Sequence, residues 1–77
     1  VFPVRLPPLR ERAEDIAAYT RVLAADPNNP LRYDAVAMLY LQDGRPAEAA
    51  AHFRDSLRLN PDSGPTHYNL GLALSML

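Results

Sequence analysis

Ala47-Glu48-Ala49-Ala50-Ala51-His52-Phe53-Arg54-Asp55-Ser56-Leu57-Arg58-Leu59-Asn60-Pro61-Asp62-Ser63 lies 34 positions after Ala13-Glu14-Asp15-Ile16-Ala17-Ala18-Tyr19-Thr20-Arg21-Val22-Leu23-Ala24-Ala25-Asp26-Pro27-Asn28-Asn29. The two stretches keep their chemistry place by place. Both open on Ala-Glu, Tyr19 answers to Phe53, Leu23 to Leu57, and Asp26-Pro27-Asn28 to Asn60-Pro61-Asp62. A period of this length holds two helices and their turns, and such self-similarity marks a stacked repeat architecture.

The unit between the two stretches reads on local physics. Asn29 is a good N-cap, and Pro30 stands at the first helical position, where its missing N–H costs nothing. Tyr33, Val36, Ala37, Tyr40 and Leu41 recur at three- and four-residue spacing and form one apolar stripe. Gly44 can take the positive φ that ends a helix, and Pro46 opens the next one. The returning helix carries Ala49, Ala50, Phe53, Ser56, Leu57 and Leu59, small residues that allow close approach around one large aromatic. It stops at Asn60-Pro61, because the residue before proline is steered out of the helical region. Asp62 or Ser63 then caps a fourth helix, Pro65 to Leu77, with Tyr68, Leu70, Gly71, Leu72 and Leu74 as its expected packing residues.

From Ala13 to Leu77 the chain resembles the tetratricopeptide repeat family. In Pro30 to Ser63 the family's marked places are met by Tyr33, Val36, Ala37, Tyr40, Gly44, Ala49, Phe53, Ser56 and Pro61, although Ala37 stands where glycine is usual and Ser56 where alanine is usual. Tyr68-Asn69-Leu70-Gly71 looks like the start of a further first helix. The implied fold is all-α: about four helices in antiparallel helix-turn-helix repeats, behind an extended, proline-rich N-terminal arm. The expected organisation is an arm over 1–8 and a repeat domain over 9–77, divided into a half repeat (9–29), a full repeat (30–63) and a half repeat (64–77).

The beginning departs from this phasing. Val1-Phe2-Pro3-Val4-Arg5-Leu6-Pro7-Pro8 carries three prolines in six positions, which excludes a helix, and Pro8 serves as the start of one running from Leu9 to Ala25. That helix presents Ile16, Tyr19, Val22 and Leu23 on an apolar face, to be covered by the arm, the next hairpin or another chain. Val1 to Ile16 also looks like the segment joining the nucleotide-binding core to the lid in bacterial AAA+ ATPases that activate sigma-54 RNA polymerase. A phosphate loop of that family needs a lysine, and the chain has none, so it is not expected to hydrolyse ATP by itself. A natural fusion, a chimera of two recombined segments and coincidence are each compatible with the residues. Val1 and Leu77 read as cuts in a longer protein.

Composition narrows the function. A net charge of −1 with scattered arginines supplies no field for nucleic acid or an anionic membrane. No apolar stretch approaches the roughly 20 residues of a membrane helix, so the expectation is a soluble, cytoplasmic chain. With no cysteine, and with His52 and His67 on separate helices, neither a metal nor a cofactor is expected. Ser56, Ser63 and Ser75 lack a partner at motif spacing, and Glu14, Asp15 and Glu48 read as dipole complements in early helical turns, so no enzyme is expected. His67 is expected in core or rim packing. The remaining candidate is the concave face that the resemblance implies: Asp34, Met38, Leu41 and Gln42 from one helix, Tyr68, Asn69, Leu72 and Met76 from the next. This face is largely apolar with a few hydrogen-bonding tips, and suits a protein or peptide partner. Methionines adapt to varied partners. No basic residue stands there, which argues against gripping a terminal carboxylate. The same residues also suit packing against further repeats or a second copy, giving a homo-oligomer through unpaired repeat faces.

Overall fold

The computed structural model describes residues 9–77, with side chains from Glu14 onward. The expected arm over 1–8, which is also the first half of the ATPase-like stretch, therefore lies outside the described residues. Four helices follow one another: α1 (Leu9–Ala25), α2 (Pro30–Gln42), α3 (Pro46–Leu59) and α4 (Gly64–Ser75). Among the described residues there is no strand. Each helix packs on the next in the chain, as short connections require.

The boundaries come from local chemistry. Asn29 caps α2 by accepting from the Leu31 N–H at 3.1 Å, with Pro30 in the first turn. At the other end Arg45 N–H reaches the Tyr40 carbonyl at 2.9 Å and Gly44 N–H the Leu41 carbonyl at 3.1 Å, the paired bonds of a Schellman ending. Gly44 sits at φ +73, and a Cβ built there would meet nothing within 4 Å. The cost of substitution is therefore backbone strain alone. Gly44→Ala should destabilise by about 1 kcal/mol and Gly44→Asn by less, since asparagine tolerates this region. Equal urea midpoints for wild type and both variants would contradict the turn.

The core sits between α2, α3 and α4. Ala37, Ala49, Ala50, Phe53 and Ala73 form one buried cluster, with Tyr40, Leu41 and Leu70 packed against it. Four alanines bring the helix backbones close, and Phe53 fills the space they leave. Ser56 donates from Oγ to the Pro30 carbonyl at 3.1 Å, tying the end of α3 to the start of α2 and showing that the two run antiparallel. Among the described side chains of α1 only Ile16 and Leu23 are buried; Tyr19 and Val22, expected on the same apolar face, are exposed.

Helix α4 departs most from expectation. Its buried residues are Thr66 and Ala73, with Leu70 half-buried between them, whereas Tyr68, Gly71, Leu72 and Leu74 are exposed. It spans Gly64–Ser75 rather than Pro65 to Leu77, and Ser63 is its N-cap. The helix is apolar nearly all round, so composition does not choose the inward face. The choice is made by Thr66, whose hydroxyl donates to the Asp34 carboxylate at 3.0 and 3.1 Å.

Candidate partner-binding groove

That bond sets the geometry of the site. Thr66 is in the first turn of α4 and Asp34 in the second turn of α2, so the starts of the two helices meet there, while along their lengths both pack on α3. The Ser63 hydroxyl, 2.9 Å from Thr66 Oγ1 and 3.4 Å from the Thr66 N–H, completes a small polar node. Thr66 Oγ1 gives its single proton to Asp34, so Ser63 donates to Thr66 and accepts from its N–H. Asp34, expected as a ligand-facing tip, is instead half-buried and engaged in holding α4 to α2.

At about 100° per residue, Asp34, Met38 and Gln42 make a row along α2, and Tyr68, Leu72 and Met76 make the equivalent row along α4. Met38, Gln42, Tyr68, Leu72 and Met76 are exposed, Tyr68 at 73%. Leu41 leans on the core cluster and Asn69 is half-buried, so these two border the row rather than stand in it. Leu31 was not anticipated. It is 73% exposed and lies seven residues before Met38, which places it on the same stripe of α2. The spacing was available in the sequence, but a leucine beside Pro30 reads first as part of the helix start.

The α2–α3 turn bounds one end of this surface. Arg45 Cζ stands 4.8 Å from the centre of the Tyr40 ring, and its guanidinium pairs with Glu48 and, at 3.9 Å, with Asp43. The hydrogen bond to Glu48 raises the Arg45 pKa above its ordinary value, so its charge stays fixed. With Gly44 in the left-handed region, Ala49 and Phe53 fully buried and the hairpin tied by Ser56, the whole segment has the form of one helix-turn-helix unit.

Residues 30–63 match the tetratricopeptide repeat family. No curated protein and no solved structure matches the chain. In the matched stretch α2 is the first helix and α3 the second, and α4 stands at the 34-residue offset from α2.

The histidines serve this repeat structurally. His52 Nδ1 donates to the Glu48 carbonyl at 2.9 Å, with its ring 5.1 Å from that of Tyr40. His67, expected in core or rim packing, is exposed, and its Nε2 donates to the Pro61 carbonyl at 2.8 Å, bracing the loop before α4. Among the described residues no group of three His, Cys, Asp or Glu is placed to hold a metal, and no helix is long and apolar enough to cross a membrane. A half-open cleft of about 300 Å³ lies elsewhere, between Pro27, Asn28 and Tyr33 and the end of α3 at Asp55, Arg58 and Leu59. Tyr33 is a quarter-turn or more from the Asp34–Met38–Gln42 row, so this cleft is no part of the groove.

Proposed function

We propose that the chain is a non-enzymatic interaction module, one full tetratricopeptide unit with a half unit on either side, which takes a peptide or partner helix along the α2–α4 face. The observation that carries this is the pair of exposed, mostly apolar rows, Leu31–Met38–Gln42 on α2 and Tyr68–Leu72–Met76 on α4, on two helices whose starts are joined by Asp34 and Thr66. Two methionines within it suit a surface that adapts to more than one side chain. An apolar segment with residues at three- and four-residue spacing is the chemistry such a trough accepts, and the absence of Lys or Arg from both rows disfavours an acidic one.

Displayed random peptides selected on the folded chain test this. Binders should be enriched in amphipathic apolar sequences, and Met38→Asp or Tyr68→Ala should weaken them tenfold or more, while Arg54→Ala on the exposed side of α3 leaves them unchanged. Failure to enrich any binder, or binders indifferent to both groove substitutions, would remove the proposal. The resemblance of Val1 to Ile16 to the ATPase segment supports a second reading, in which the repeats are attached to a transcription-activating ATPase and act as its sensor in the cytoplasm. A gene encoding a phosphate loop upstream of Val1 would establish that arrangement; a gene without one would end it.

A further inference from the structure

The chain has two methionines and no cysteine, so Met38 and Met76 hold its only sulfur atoms. Both stand in the candidate groove, Met38 within α2 and Met76 at the C-cap of α4. They are open to solvent, at 37% and 49% exposed, whereas the buried cluster of Ala37, Ala49, Ala50, Phe53 and Ala73 contains no sulfur. The repeat does not call for methionine at either place. At the 34-residue offset Met38 answers to Leu72 and Met76 to Gln42, both groove residues themselves and both inert to dilute peroxide.

This placement directs oxidation to one surface. A thioether sulfur attacks one oxygen of a peroxide, so that an S–O bond forms as the O–O bond breaks. The departing hydroxide takes the proton of the transferred oxygen and leaves as water. Sulfur gives up two electrons and the peroxide gains them. The product, methionine sulfoxide, is polar where the thioether was apolar and flexible. At Met38 and Met76 it puts a strong hydrogen-bond acceptor into each row, which a covering partner would have to strip of water. The sulfur-free core is untouched by the same chemistry.

With the α2–α4 face as the partner site, on which this rests, we propose that Met38 and Met76 are an oxidation site that disables the groove. A peroxide converts them to sulfoxides and the partner is released. Methionine sulfoxide reductases, one for each sulfoxide epimer, restore the thioethers, with a dithiol as reductant that becomes a disulfide as water is formed.

The folded 77-residue chain, treated with hydrogen peroxide, tests this, with the mass of each methionine-bearing peptide as the measure of conversion. Both methionines should gain one oxygen at nearly the rate of free methionine, with helicity and urea midpoint unchanged. Affinity for a selected amphipathic peptide should fall about tenfold or more on full conversion, and return after treatment with the two reductases and dithiothreitol. The double variant Met38→Leu with Met76→Leu supplies the control: whatever its own Kd, peroxide should not move it. Oxidation of either methionine at less than about a tenth of the free rate would overturn the proposal, since the site would then be shielded in the folded chain. Loss of helicity on oxidation would also overturn it, as would an equal loss of affinity in the double variant, which would trace the effect to another side chain. Undiminished binding by the fully converted protein would overturn it and leave the partner site standing. A reduced chain that takes up no selected peptide would end both.

Discussion

Phe53→Ala should abolish the cooperative unfolding transition or move it to a small fraction of the wild-type denaturant concentration. Phe53 is the one large side chain in a cluster otherwise made of alanines and is fully buried, so its removal leaves a cavity that the close-set helices cannot fill. Truncations of this kind cost about 3–5 kcal/mol. A chain of 77 residues has a total stability of about 4–12 kcal/mol on the usual per-residue scale, so the substitution removes a large share of it. Tyr19, the counterpart of Phe53 one repeat earlier, supplies the control. At 42% exposed, its replacement by alanine should cost under about 1 kcal/mol in the monomer. Urea unfolding followed by circular dichroism reads both, and similar losses for the two variants would contradict the burial pattern.

Thr66→Val should cost about 1–2 kcal/mol although it preserves shape. The hydroxyl lost is the donor that joins α4 to Asp34 of α2, and valine leaves both the carboxylate and Ser63 short of a partner. Bonds to charged groups contribute about 1.5–3 kcal/mol, and the partial exposure of Asp34 brings this one to the lower end. In a double-mutant cycle with Asp34→Ala the two losses should overlap by about 1 kcal/mol, because either change breaks the same contact. Strict additivity would show that Asp34 and Thr66 act independently, and would leave α4 without its anchor.

The sequence was most legible where structure is decided by neighbours along the chain. Asn29 with Pro30, Gly44 with Pro46, and Asn60-Pro61 each carry their own instruction for starting or ending a helix, and the helices begin and end there. Phe53 was legible through the repeat, since its counterpart Tyr19 stands at the same offset from a matching Asp-Pro turn. The faces of α4 were not legible. Leu70, Leu72, Leu74 and Met76 give it an apolar residue on every side, and its orientation is chosen by a hydroxyl–carboxylate contact between residues 32 apart in the chain. The bond between Asp34 and Thr66 was not legible for the same reason, since the two residues lie 32 apart in the chain. Tyr19 and Val22 read as needing a cover from the arm, the next hairpin or another chain, and are exposed, because a stripe shows which residues could be covered together and not what covers them.

The proposed role of the α2–α4 face is to receive a partner. Amide and methionine-methyl NMR spectra of the chain, recorded while a selected amphipathic peptide is added, test it most directly. Shifts should be concentrated at Leu31, Met38, Tyr68, Leu72 and Met76, with Arg54 and Arg58 on α3 unmoved. Shifts centred on the cleft at Tyr33, Asp55 and Leu59, or spread evenly over all four helices, would contradict it.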